Sequence, residues 1–404
     1  MTQEEGADGP LDLADPDLYG TRRHLAVWEA LLRSGRPHWS PPGHSPSGFW
    51  SVFSYDACLQ VMNDADSFTS RYGMLIGFDA DHPDRGGQQM VVASEGTQHT
   101  KLRRALGTFF SPRRLLELEA FTRRDVRARL LSPDPLMDVA HALAPAIPAT
   151  VTCELLGVPH ADRQYLTELT ERAFAAPDSA GLDPSQIRDA HTQIFLYFDE
   201  LVQSRLDHPG TGAINGLLHA GLDRNEVLVN CYNLLIGGNQ TTRHAVSAVF
   251  HLAALHPEML DRWARPERDL AEDVEELLRW SCPGMHFLRV TTEDVFLEGQ
   301  RIERGQPVVA WIGAANRDPN VFSDPTAFMP GRAARQLTFG GGIHSCLGSR
   351  LARIELRIVM QTLGELYASV GLARQPRYAR SNLIQGYDAL PVLLTSREFS
   401  SAIG

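Results

Sequence analysis

The stretch Phe339-Gly-Gly-Gly-Ile-His-Ser-Cys-Leu-Gly-Ser-Arg-Leu-Ala-Arg353 sets one cysteine, Cys346, between a glycine-rich loop and a helical pattern running from about Leu347 to Tyr367. A sulfur there sees the backbone N–H groups and the positive dipole end of the helix, which favour a thiolate. Gly340, Gly341 and Gly342 let the backbone turn tightly and approach a flat ligand, and Gly348 gives the same freedom where the helix starts. Phe339 can cover the sulfur, and Arg350 and Arg353 add positive charge. A haem iron asks this of an axial cysteine: a fixed sulfur, N–H donors that tune it, and exclusion of competing chemistry.

Three other spacings carry chemistry. His99 and Arg103 lie four apart in Glu95-Gly-Thr-Gln-His-Thr-Lys-Leu-Arg103 and share a helix face, with donors suited to carboxylates. Glu276-Leu-Leu-Arg279 puts an acid and a base three apart; alone it would be a surface pair worth a few tenths of a kcal/mol. Ile236-Gly-Gly-Asn-Gln-Thr-Thr242 places two glycines inside a long helical pattern, at a cost of about 1 kcal/mol each relative to Ala. A helix accepts that for tight packing against a neighbour, or for close approach and local distortion.

The cysteine stretch, Phe-Gly-x-Gly-x-His-x-Cys-x-Gly followed by Leu-Ala-Arg, resembles the haem-binding loop of the cytochrome P450 family, soluble bacterial type. The resemblance runs from about Leu18 to Leu394, with five motif regions in the family's order. It implies a haem b (iron protoporphyrin IX) with Cys346 as the iron ligand. Phe339, Gly340 and Gly348 belong to the loop, and Gly237 and Gly238 to the helix across the haem. His99, Arg103, Arg289 and His344 match the family's propionate ligands. Glu276 and Arg279 match a buried clamp on Ala327–Arg332, which Arg332 completes. Thr241 and Gln240 are the implied catalytic positions. Thr241 matches the family's oxygen-activating threonine, whereas Gln240 stands where an Asp or Glu is usual. An amide can orient a water but cannot supply a proton by ionising. Protons would then come through a water chain, the substrate or another residue, or turnover would be slower or redirected. By position Leu75, Ile76, Leu235, Ile236, Met285, His286, Phe287 and Ile384 line the substrate pocket. His286 either hydrogen-bonds a polar substrate group or points away.

The elements around these residues are read as mainly α with small β-sheets. The resemblance implies the triangular helical prism of the family, with haem between a long central helix and the helix after Cys346. Apolar spacing predicts helices over Leu18–Leu32, Tyr55–Asn63, His99–Phe110, Pro112–Leu131, Val139–Leu155, Ala161–Ala175, Pro184–Arg205, Arg224–Leu255 and Pro266–Trp280. Strands are predicted at Phe49–Phe53, Phe287–Val290, Val295–Leu297, Gln306–Trp311 and Leu390–Leu394. Ser67–Ser94 reads as a long irregular segment of the functional kind. Residues 1–16 are expected to be a disordered acidic tail, and 17–404 one domain.

Composition sets limits. The 404 residues are 43% hydrophobic and 22% charged, ordinary for a globular protein. The net charge of −11 argues against nucleic acid or an anionic membrane as partner. Five scattered cysteines without a Cys-x-x-Cys pair argue against disulfides or zinc and fit a reducing, cytoplasmic location. No apolar run reaches the ~18 residues of a membrane span; Ala142–Val158 comes nearest and is interrupted by Pro145 and Pro148. There is no Gly-x-Gly-x-x-Gly loop and no iron–sulfur cysteine pattern, so electrons must arrive from outside. The expected donors are a ferredoxin and its reductase, docking near Lys101, Arg104, Arg113, Arg114, Arg335, Arg350, Arg353 and Arg357. The expected activity is hydroxylation of a small organic substrate in specialised metabolism, free or carrier-bound. The alternatives are a peroxygenase or oxidative coupling enzyme on the same haem, and a non-oxidising haem docking protein.

Overall fold

The computed structural model describes residues 11–83, 87–131, 134–173, 183–208, 212–332 and 335–397. One helix of 32 residues, Arg224–Leu255, crosses the molecule and spans about 48 Å at 1.5 Å per residue. Its start is fixed by a capping box: the Asp223 carboxylate accepts from the Glu226 N–H, and the Glu226 carboxylate accepts from the Asp223 N–H. From Ala245 to Ala253 the helix is buried almost all round, as expected of a core helix. There it meets Leu356–Leu363 of the helix after Cys346 (Ser349–Leu366) and Leu277 and Leu278 of the Glu276 helix (Ala271–Ser281). This apolar joint holds the central helix and the cysteine helix together at one end. The segment Leu235–Thr241 lies beyond that joint.

The helix carrying His99 and Arg103 runs Gly96–Gly107 and is followed by Pro112–Leu130. A five-stranded sheet has the order His38–Ser40, Phe49–Val52, Pro307–Ala310, Phe287–Thr291, Phe68–Thr69. All neighbours are antiparallel except Phe49–Val52 with Pro307–Ala310. The pairing places Arg289 opposite Val308 and Thr69 opposite Val290, so Ser67–Ser94 begins as an edge strand beside Arg289. A second sheet joins Leu136–Asp138, Pro391–Ser396 and Tyr367–Leu372. The fold is mainly α with small sheets, as the sequence indicates.

Several boundaries differ, each for a local reason. The helix expected over Leu18–Leu32 is two, Asp17–Gly20 and His24–Ser34, separated at Arg22, which adopts φ +60°. Val139–Leu155 is also two, Val139–Ala142 and Ala146–Leu156; Pro145 lies between them and lacks the N–H a continuous helix needs. An 18-residue window over these two helices is apolar and long enough to cross a membrane, and 72% of it is buried inside the protein. The Glu276 helix begins at Ala271, not Pro266, because the Asp269 carboxylate takes the Ala271 N–H at 3.0 Å. The disordered tail expected over 1–16 does not hold for its last part: Leu13 and Ala14 are buried beside Trp28 and Trp311, and the Leu13 carbonyl accepts from the Tyr19 hydroxyl at 2.7 Å. Residues 1–10 lie outside the described residues.

Candidate active site

The cysteine loop closes on itself. The Cys346 N–H donates to the Phe339 carbonyl at 2.9 Å, and Arg353 lies over the Phe339 ring, 4.4 Å from its centroid. Gly340 has φ +68°, which favours glycine, and a Cβ there would lie 3.2 Å from the Phe287 ring, a crowded approach. A Cβ on Gly348 would lie 3.9 Å from the Cys346 sulfur and from Phe110. Cys346 is exposed at the surface of the loop; the surrounding protein pushes its thiol up, and the Gly348 and Ser349 N–H groups and the charges of Arg103 and Arg353 pull it down. The Gly348 and Ser349 N–H groups are placed to steady a thiolate that would ligate a metal.

Beside the loop lies a cluster of basic side chains. Arg103 donates to the Ser345 carbonyl at 2.6 Å and hydroxyl at 3.0 Å. The His99 and His344 rings are 4.5 Å apart, and His344 Nε2 is 3.4 Å from the Glu95 carboxylate. Arg289 is 5% exposed, its guanidinium donates to the Leu288 carbonyl, and it has no ion pair among the described residues. Burial lowers Arg289 to about 10, partly opposed by the charge of Glu95, and lowers His99 to about 4. The buried Nε2 of His99 has no hydrogen-bond partner among the described residues. A buried guanidinium without a carboxylate, next to an orphaned imidazole nitrogen, fits a ligand that brings its own carboxylates. Haem does so through its propionates.

Glu276 and Arg279 form a network far stronger than a surface pair. Both are buried, and they exchange two hydrogen bonds of 2.8 and 2.9 Å. Arg279 also donates to the carbonyls of Asn316, Pro325 and Ala327. Glu276 accepts from the Met329 N–H at 2.9 Å and pairs with Arg332 at 3.1 Å. Four side-chain and backbone partners thus lock the segment that leads into the cysteine loop.

Across from the loop, the central helix presents its residues in turn. A Cβ on Gly237 would meet nothing within 4 Å, whereas one on Gly238 would lie 2.7 Å from the Thr152 hydroxyl. Gly237 therefore borders open space and Gly238 packs against the Ala146–Leu156 helix, so Gly238 is a packing residue and not a cofactor contact. Thr241 is one turn on from Gly237 and its hydroxyl donates to the Gly237 carbonyl at 3.4 Å. Its methyl group would lie 3.7 Å from a Cβ on Gly284. Gln240 is 6% exposed and its amide donates to the Thr170 carbonyl at 3.3 Å. About 100° of helix rotation from Thr241 turns it towards the Arg163–Ala173 helix, so it does not serve the face that Thr241 serves.

Of the expected pocket residues, Ile76, Ile236 and Ile384 are half-buried and Leu75 is exposed, which leaves surface for a ligand. Leu235 is buried with the central helix's neighbours. Met285 is fully buried in the cluster around Trp28 and Trp311 and is a core residue, not a pocket residue. Phe287 is half-buried against Gly340. His286 is buried and both ring nitrogens are engaged: Nε2 accepts from the Ile76 N–H at 3.2 Å and Nδ1 faces the Asn382 carbonyl at 3.1 Å. It therefore does not offer a hydrogen bond to a substrate.

Sequence reasoning missed Glu95, whose carboxylate accepts from the Ser70 N–H and the Thr69 hydroxyl besides facing His344. It also missed Glu355, a fully buried acid on the cysteine helix whose pKa burial raises to about 8. Its position between Leu351 and Ile358, on the apolar face of that helix, was the available signal. The basic set expected to dock an electron donor is partly neutralised. Lys101 pairs with Glu226, Arg113 and Arg114 with Glu117, Arg353 with Glu275 and Arg357 with Glu119. Arg104, Arg335 and Arg350 are exposed and have no ion pair among the described residues.

The family model described as Cytochrome P450 matches residues 270–366, the part that holds the Glu276 network and Cys346. The chain is 31% identical to Cytochrome P450 NovI of Streptomyces niveus over 394 residues, covering 95% of this chain and 96% of that protein. Among solved structures, P450 OxyD, involved in the biosynthesis of vancomycin-type antibiotics, is 47% identical with a TM-score of 0.89, covering 96% of this chain and 100% of that one. P450BioI, solved in complex with an acyl carrier protein ligated to hexadec-9Z-enoic acid, is 26% identical with a TM-score of 0.81, covering 94% and 99%.

Proposed function

The chain belongs to the cytochrome P450 family, oxidoreductase monooxygenases that work with a haem, and from that premise we propose that it hydroxylates a small organic substrate in specialised metabolism. The cofactor in this reading is haem b. The observation that carries it is the unpartnered, buried Nε2 of His99, together with the buried guanidinium of Arg289, which has no ion pair among the described residues. Cys346 would ligate the iron, and His99, Arg103, Arg289 and His344 would hold the two propionates. Bound there, a thiolate-ligated haem supplies the activation of oxygen from which one atom reaches the substrate. Gly237 keeps the central helix clear of that space. Thr241 Oγ1, anchored by the Gly237 carbonyl, would hold a proton on the substrate side of the site. Leu75, Ile76, Ile236, Phe287 and Ile384 would bind the substrate's apolar part and exclude water.

The likeness to an enzyme of antibiotic biosynthesis supports a specialised-metabolite substrate, and the likeness to a carrier-bound complex supports one delivered on a carrier protein. Bacterial members take electrons from redox partners; a ferredoxin and its reductase, docking at Arg104, Arg335 and Arg350, fill that role here. Membership in a monooxygenase family removes the non-oxidising docking protein from consideration. A second reading, a peroxygenase or coupling enzyme on the same haem, draws on Gln240, which is not an acid and faces Thr170. The test is product formed per electron consumed, with ferredoxin and reductase, against product formed with hydrogen peroxide alone. Thr241→Ala should lower the yield per electron in the first system. Equal yields for wild type and variant would remove Thr241 from the reaction, and product from peroxide alone would favour the second reading.

A further inference from the structure

We infer that His286 is a positioning residue that sets the substrate-facing wall of the pocket, an inference that rests on the reading of that pocket given above. Three chain segments meet at its ring. Ile76, in the irregular segment after the edge strand, donates its N–H to Nε2. Because Nε2 accepts, Nδ1 carries the proton and donates to the carbonyl of Asn382. The residue's own backbone leads into the Phe287–Thr291 strand. The ring is 1% exposed and lies 5.0 Å from the Trp311 ring, so it has no second position to swing into.

Backbone bonds fix these segments nearby: Leu288 N–H to the Met74 carbonyl, Met285 N–H to the Leu383 carbonyl and Gln385 N–H to the Pro283 carbonyl. They leave the Ile76 N–H and the Asn382 carbonyl to His286, while the Asn382 side chain donates to the Ala14 carbonyl at 2.8 Å. Ile76 and Asn382 lie within two positions of Leu75 and Ile384, side chains expected to touch substrate. A single imidazole thus spaces two pocket loops that are about 300 residues apart in sequence. An apolar side chain of similar size would fill the volume and leave one donor and one acceptor unmatched. A glutamine carries both an acceptor and a donor and can replace both bonds.

The experiment uses the haem-loaded protein with two iron-binding probes, imidazole and 4-phenylimidazole, titrated by absorbance. The two probes share the iron-binding ring and differ by the phenyl group, which extends the larger one towards the substrate side. His286→Leu should weaken 4-phenylimidazole about tenfold while imidazole changes by less than about twofold. His286→Gln should stay within about threefold of wild type for both. Hydrogen exchange at the Ile76 amide, read in the same proteins, should speed up about tenfold in His286→Leu and recover in His286→Gln. Unchanged Ile76 exchange in His286→Leu, or equal weakening of both probes, overturns the inference. A wild-type protein without the thiolate carbon-monoxide spectrum would instead overturn the role of Cys346, and the Ile76 exchange result would still decide His286.

Discussion

On the cysteine side, Glu276 and Arg279 are buried charges with every partner supplied by protein: each other, Arg332, the Met329 N–H and three carbonyls. On the opposite side, the central helix is fitted to its neighbours by the methyl group that Gly238 lacks and by one neutral bond from Gln240 to Thr170. The first arrangement is all-or-nothing, because removing one charge strands the other in a medium that cannot solvate it. The second consists of neutral contacts that can be exchanged singly for about 1 kcal/mol apiece. The frame around Cys346 is therefore rigid in composition, while the packing of the central helix against its neighbours is open to change.

The largest expected effect breaks the rigid side. Arg279→Ala or Glu276→Ala should cost ~3–5 kcal/mol, read as a shift in the chemical denaturation midpoint, with haem lost in parallel. A variant within about 1 kcal/mol of wild type would show that the buried network is no stronger than a surface pair. Next, Arg289→Ala should speed haem transfer to an acceptor globin about ten- to a hundredfold, because a propionate loses a charge-assisted partner worth ~1.5–3 kcal/mol. An unchanged transfer rate would take Arg289 out of the site.

Glu355 sharpens the same contrast, as an acid on the rigid side that burial keeps neutral. Its folded pKa is raised to about 8 from an ordinary 4.5, so between those values the unfolded chain releases a proton that the folded protein retains. Stability should therefore fall as pH rises from 4.5 to about 8, and Glu355→Gln should remove that part of the slope. Parallel stability–pH curves for wild type and variant would mean that Glu355 is ionised in the folded protein.

The two sides were also unequally legible in the sequence. The Glu276–Arg279–Arg332 network was readable from residue type and spacing, and the structure brings Arg103 to Ser345 in the cysteine loop and His99 to His344, as the resemblance implied. The central helix was readable to its ends, Arg224 and Leu255, since a capping box and apolar spacing mark it. What failed was the direction in which side chains point. Gly237 and Gly238 look alike in sequence and differ by one helix position, which decides between open space and Thr152. Gln240 next to Thr241 invites a shared role that helix rotation denies. Met285 and His286 lie in a loop without periodicity, so nothing local shows that one enters the core and the other ties two loops. Glu95 acts through contacts distant in sequence, Glu355 is a buried acid whose Oε2 has no hydrogen-bond partner among the described residues, and the spacing of neither carries a motif.

The smallest expected effect tests the neutral side through that glycine pair. Gly237→Ala removes a helix-interior glycine where the new methyl meets nothing within 4 Å. It should raise stability by up to ~1 kcal/mol from helix propensity alone. Gly238→Ala gains the same propensity but drives its methyl to 2.7 Å from the buried Thr152 hydroxyl. Overpacking costs ~1–3 kcal/mol, so this variant should be neutral or destabilised. Adding Thr152→Ala should release the clash, and the double-mutant cycle should return a coupling above about 0.5 kcal/mol. The functional readout runs the other way. The methyl added in Gly237→Ala projects towards the cofactor space and should weaken 4-phenylimidazole binding, whereas Gly238→Ala should leave it unchanged because its methyl faces the neighbouring helix. Stability and probe affinity moving together in both variants would mean that the two glycines are equivalent, and the central helix would then have no separate packing and cofactor faces.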